Sequence, residues 1–139
     1  MRQAKRQLAG SGEALPSGSI GEVKFTSESF AGLGVNPNIF GAATTLTPGI
    51  WFVILCGSFQ GQAPTDMFVR LADNANTPIT ADSYGLETIV DVGNGGGGAC
   101  IKSFFTLRVT STTTYKVQLY STQAAGALNM AQFEAIRIA

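Results

Sequence analysis

The sequence predicts an all-β domain, a jelly-roll-like antiparallel β-sandwich of about eight strands behind an extended amino-terminal arm, and three observations carry that expectation. Apolar and polar residues alternate with period two in one segment after another. Clusters of Gly, Pro, Asn and Ser separate those segments at short intervals. No helix of ordinary length is needed to account for any part of the chain. At 139 residues there is material for one hydrophobic core and too little for two.

Residues 1–18 read as an anchoring arm and residues 19–139 as the sandwich. From Met1 to Pro16 aromatic and β-branched residues are scarce, and Gly10-Ser11-Gly12-Glu13 breaks any helix started by Ala4 to Ala9. Arg2, Lys5, Arg6 and Leu8 are the candidate anchoring residues. Three cations without interleaved aromatics make a poor nucleic-acid pattern, so an acidic protein surface is the expected partner and nucleic acid is not. No apolar stretch follows these charges, so the segment does not read as a secretory signal. The longest apolar run, Ile50 to Cys56, is seven residues, too short for membrane insertion.

The first strand is expected over Ser19 to Thr26, with Ile20, Glu22 and Lys24 on one face and Val23 and Phe25 on the other. The turn-forming Gly34-Val35-Asn36-Pro37-Asn38 precedes a strand from Ile39 to Leu46. Thr47-Pro48-Gly49 then reads as a hairpin corner into the most apolar strand, Ile50 to Phe59. Ile50, Phe52, Ile54 and Cys56 share one face of it, and Trp51, Val53, Leu55 and Phe59 the other. A strand of a free sandwich has one wet face, so here the second face needs cover from a loop or another subunit. Trp51, Val53, Leu55 and Phe59 are the candidate subunit interface.

Met67 to Leu71, Leu86 to Val92, Ala99 to Val109, Tyr115 to Tyr120 and Gln132 to Ile138 complete the set of strands. Ile101, Ser103, Phe105, Leu107 and Val109 read as a buried row against the mostly solvated Lys102, Phe104, Thr106, Arg108 and Thr110. After a turn at Ser111 to Thr114, Tyr115, Val117 and Leu119 continue the buried row against Lys116, Gln118 and Tyr120. These last two segments are expected to pair as an antiparallel hairpin.

Few residues carry chemistry. The Gly93-Asn94-Gly95-Gly96-Gly97-Gly98 run does not read as a phosphate cradle, because it opens a strand and not a helix. The chain has no histidine, which removes the commonest general base and most transition-metal sites. Cys56 and Cys100 sit in apolar strands and read as buried thiols. Asp66, Asp73, Asp82, Glu87 and Asp91 are spread so that no spacing singles out a catalytic pair. Asp73-Asn74-Ala75-Asn76 lacks the spaced acids and distal Glu of a calcium loop and reads as a turn before Pro78. No catalytic residue, metal or cofactor is expected, and the chain does not read as an enzyme. Asp73, Asn74, Asn76, Asp82, Tyr84 and Asn94 are the candidate exposed contact residues of the loops. Charged residues make up 13%, about half the typical share, with no net charge and 45% apolar content, so part of the surface is expected to be covered by partner subunits.

Four pieces of sequence resemble a family of small tailed-bacteriophage virion structural proteins. Gly10-Ser11-Gly12-Glu13-Ala14-Leu15-Pro16-Ser17-Gly18-Ser19-Ile20-Gly21-Glu22 looks like the family's opening. Thr45-Leu46-Thr47-Pro48-Gly49-Ile50-Trp51-Phe52-Val53 is similar to its "leucine, threonine, small residue, glycine, x, tryptophan" strand start. Thr112-Thr113-Thr114-Tyr115-Lys116-Val117-Gln118-Leu119 matches its "threonine-threonine-tyrosine" strand. Phe133-Glu134-Ala135-Ile136-Arg137-Ile138-Ala139 resembles its closing strand, although Ile138-Ala139 stands where a last basic residue is usual. The Gly-rich loop is longer than usual.

The resemblance implies a jelly roll related to the trimeric heads of fibres, packed about a three-fold axis and displayed on a virion assembled in the host cytoplasm. The partners it implies are the chain itself, as a homotrimer, and the major capsid protein or tail proteins. Capsid decoration, as a cement or head-fibre protein, is the expected task, since a receptor-binding fibre normally has a shaft and none is read here. The alternative is a tail-fibre or tail-tip module touching the host through Asp73 to Ser83 or Gly93 to Gly98. A lectin or carbohydrate-active enzyme bound to a host-surface glycan is the third reading, with Tyr84 and Tyr120 available to stack on sugars.

Overall fold

In the computed structural model, which describes residues 16–30, 38–61, 66–79, 87–91, 98–121 and 126–139, the period-two segments become eight strands among the described residues. They are β1 (Val23–Ser29), β2 (Asn38–Leu46), β3 (Gly49–Gly61), β4 (Asp66–Asp73), β5 (Glu87–Asp91), β6 (Gly98–Val109), β7 (Thr113–Ser121) and β8 (Gly126–Arg137). Two four-stranded antiparallel sheets result, in the orders β1-β8-β3-β6 and β2-β7-β4-β5. Among consecutive strands only β4 and β5 are hydrogen-bonded neighbours; every other link passes from one sheet to the other. This is the jelly roll that the strand spacing predicts.

Two expected hairpins are corrected by this topology. β2 and β3 flank Thr47-Pro48-Gly49 but lie in different sheets, and so do β6 and β7 around Thr110 to Thr112. Alternation cannot separate the two cases. A strand beside its neighbour and a strand across the core both turn their apolar rows toward the same interior. The rows largely hold: Ile101, Ser103, Phe105 and Val109 are buried, as are Tyr115, Val117 and Leu119, while Leu107 is only half-buried. Gln118 departs from its row and is buried too.

β1 starts later than expected because Gly18 and Gly21, each at a φ of 88°, turn the chain before it can extend. Ser19 N–H donates to Pro16 O and Glu22 N–H to Ser19 O in that turn. β8 starts earlier, at Gly126, because β3 runs on to Gly61 and offers backbone partners that no side-chain pattern reveals.

The core lies between the sheets, and the first sheet contributes Trp51, Val53, Leu55 and Phe133 while the second contributes Leu46, Val69, Leu71 and Leu119, all 0% exposed. Burying each such side chain stabilises the fold by roughly 1.5–3 kcal/mol. The candidate interface is corrected here: Trp51, Val53 and Leu55 fill this chain's own interior and are not available to another subunit. Both faces of β3 are apolar, and the face with the indole was taken by the core. The side chain of Phe59 lies outside the described residues.

Candidate interaction surface

The outer face of the β1-β8-β3-β6 sheet is built by the rows left over once the core is filled. Strand register aligns them: Val23 opposite Ile136, Ile136 opposite Phe52 and Phe52 opposite Thr106 form one row. Phe25, Glu134, Ile54 and Phe104 form the next, and Ser27, Gln132, Cys56 and Lys102 the one beyond. Toward the other end, Ile138 lies beside Ile50, donating its N–H to Ile50 O at 2.8 Å, and Ile50 faces Arg108. Val23, Phe25 and Phe104 are 56%, 60% and 53% exposed, while Ile50, Phe52, Ile54 and Ile136 are half-buried. Side chains of this size are normally covered when they cluster. The signal for this surface was in the sequence, in Ile50, Phe52 and Ile54 and in Phe104 on an otherwise polar row; Val23 and Phe25 were placed on one face without being read as a site.

A rigid corner supports one end of the face. Gly49 has a φ of 156°, and a Cβ there would lie 2.7 Å from Arg137 Cζ and 2.8 Å from Ala139 O. Arg137 stacks its guanidinium over the Trp51 ring at 5.7 Å and donates from Nη1 to Thr47 Oγ1 at 3.1 Å. Trp51 Nε1 donates to Thr47 O at 2.9 Å. Gly21 N–H bonds Arg137 O and Arg137 N–H bonds Glu22 O, which ties the start of β1 to the end of β8.

Glu22 is 3% exposed beside that junction, accepting from Gly18 N–H at 2.6 Å and pairing with Lys24 Nζ at 2.9 Å. Burial pushes its pKa up, but the hydrogen bond and charge of Lys24, with hydrogen bonds from Gly18 and Ser17, outweigh that and hold it below the ordinary value. Glu28 has an equally structural use: its Oε2 accepts the Ala42 N–H at 2.8 Å where β2 bulges between Gly41 and Thr44.

The outer face of the second sheet mixes the aromatics Phe40, Phe68 and Tyr120 with polar side chains that partner one another. Arg70 Nε donates to Gln118 Oε1 at 2.5 Å, and Gln118 Nε2 to Asn38 Oδ1 at 2.6 Å. Tyr120 stacks on Phe68 with centroids 4.5 Å apart, and Arg70 lies over the Tyr120 ring at 4.9 Å. The sequence placed Gln118 in solvent because its two partners are 48 and 80 residues away.

The Asp73 turn forms as expected. Asp73 Oδ1 accepts Thr77 N–H at 2.8 Å, and Asn76 takes a φ of 65°. Lys116 Nζ donates to Asn74 O and Asn76 Oδ1 at 3.0 and 2.7 Å, so an ammonium occupies the oxygens that a calcium reading would use. Asn74 and Asn76 are exposed and Asp73 is half-buried. Asp82, Tyr84 and Asn94, like Arg2, Lys5, Arg6 and Leu8, lie outside the described residues. Cys56 is a buried thiol. Among the described residues no group of three or more Cys, Asp or Glu side chains is placed to hold a metal, and no helix is long and apolar enough to cross a membrane.

No protein-family model matches the chain, and no curated protein matches it. Solved structures do. It is similar to a chain of the infectious bursal disease virus Gx strain, with a TM-score of 0.52 at 8% identity over 85% of this chain and 33% of that one. The VP2 subviral particle of the same virus gives 0.51 at 10% identity, over 86% of this chain and 34% of that one. Eiger TNF from S. frugiperda gives 0.50 at 10% identity, over 83% of this chain and 93% of that one. The chain spans about a third of the length of the two viral chains. At such identities the likeness establishes a shared fold, the jelly-roll β-sandwich.

Proposed function

We propose that this chain is a non-enzymatic structural protein of a virion, displayed on its surface as a trimer and attached through residues 1–18, with capsid decoration as its task. The observation that carries the reading is the apolar outer face of the β1-β8-β3-β6 sheet, a surface suited to assembly and not to turnover. The titratable groups support it by what they do: Glu22, Glu28 and Asp73 each serve backbone amides of the fold. The jelly roll is also the fold of the viral chains it resembles. A sugar-binding reading loses one of its two aromatic candidates, since Phe68 and Arg70 pack on the Tyr120 ring.

Quantitative mass spectrometry of purified particles tests the assignment. Decoration expects a copy number comparable to that of the shell subunit. A copy number set by the symmetry of the tail overturns it and moves the chain to the tail tip.

A further inference from the structure

We propose that the outer face of the β1-β8-β3-β6 sheet is buried against a second copy of this chain, the β1 edge of one copy meeting the β6 edge of the next so that Phe25 lies against Phe104. The inference rests on the oligomeric part of the reading above and not on a place in a virion.

The size of the face is the first reason. Val23, Phe25, Phe104 and Ile138, 47–60% exposed, leave with their half-buried neighbours roughly 500 Å² of apolar surface, at the upper end of what a monomer shows. A standard stable interface takes roughly 800 Å² from each partner, and a patch of this size supplies the apolar centre of one.

Its charges are the second reason. Glu134 sits mid-row on β8 and Arg108 near the end of β6, and neither has an ion-pair or hydrogen-bonding side-chain partner among the described residues. An acidic partner would face Glu134 and a basic one Arg108. Another copy brings charges of both signs, Glu134 with Arg108 and Lys102, so neither face meets a surface of its own sign alone. The whole chain has equal numbers of acidic and basic residues, so copies do not repel one another.

The row geometry then selects the contact. Phe25 and Phe104 are the most exposed aromatics named on this face, and they stand in one row at its two edges, β1 and β6. Copies related by rotation about an axis along the strands bring opposite edges together at one level. Two aromatic rings meeting there form the apolar anchor that interfaces are built around.

The test is the mass of the full-length protein in solution by sedimentation equilibrium, for the wild type and three variants. F25K and F104E change exposed side chains, so each is expected to keep the wild-type circular dichroism and melting cooperativity while self-association weakens at least roughly 100-fold. The F25K/F104E double variant places opposite charges at the same contact and is expected to restore the oligomer. A monomeric wild type, single variants with unchanged mass, or a double variant no better than the singles each overturns the proposal. Particle incorporation, measured separately, distinguishes the two readings: a monomer that joins particles sinks this inference and the trimer but leaves the virion assignment, whereas an oligomer absent from particles sinks the virion assignment alone.

Discussion

Glu22 and Gly49 show how few residues set the corner that joins the two ends of the first sheet. For Glu22 the folded-state pKa lies below the ordinary 4.5, so its contribution is fully present above that value and is lost as pH falls through the lower one. Melting points followed from neutral pH down through the carboxylate range are expected to drop more steeply for the wild type than for Glu22→Gln. Equal slopes would show that the carboxylate is not ionised in its pocket. Gly49→Ala forces a Cβ onto the Ala139 carbonyl and a backbone region that L-residues avoid, and should cost about 3 kcal/mol in a denaturant titration. A loss below about 0.5 kcal/mol would mean that the corner opens readily. Neither residue was legible beforehand. Glu22 was read as one of a strand row, without the turn at Gly18 and Gly21 that brings an amide onto its carboxylate, and Gly49 was read only as a turn former.

Single strands were easier to read than their partners. Side-chain alternation reports which residues point inward, so the buried rows of β6 and β7 were legible apart from Leu107 and Gln118. It carries no information on whether the next strand lies beside or across, which is why both short links read as hairpins in the sequence. β3 is apolar on both faces as read, but the sequence offers no rule for choosing which face meets the core. The β2 bulge was invisible as well, since it depends on Glu28 reaching Ala42 from β1. Glu28→Ala leaves that amide without its acceptor and should lower stability by about 1–2 kcal/mol, read from equilibrium unfolding. Gly41→Ala would bring a Cβ within 2.5 Å of Phe30 Cζ and 2.7 Å of Glu28 Oε2, displacing the same carboxylate. Its loss should therefore add poorly to that of Glu28→Ala in a double-variant cycle. Full additivity would uncouple the bulge from its cap.

For the whole molecule, the arm and the sandwich are separable by experiment. Deleting residues 1–13 is expected to leave a cooperatively melting oligomer that no longer joins particles, measured by co-sedimentation with them. Normal incorporation of the shortened chain would falsify the tether. Fold class was legible because a jelly roll needs only many short strands and one core. The apolar outer face was half legible: Ile50, Phe52 and Ile54 announce it, but the contributions of β1 and β8 appear only when strands more than a hundred residues apart are laid in register.

That register bears on how the chain is made. β3 is among the most apolar segments, yet both strands that flank it, β6 and β8, are synthesised after it, and β8 ends at Arg137. Until β6 and then β8 have been made, both faces of β3 and its two rows of backbone donors and acceptors stand without their native neighbours. The first sheet is therefore complete only once β8 joins it, and whatever shields β3 until then protects the chain from aggregation.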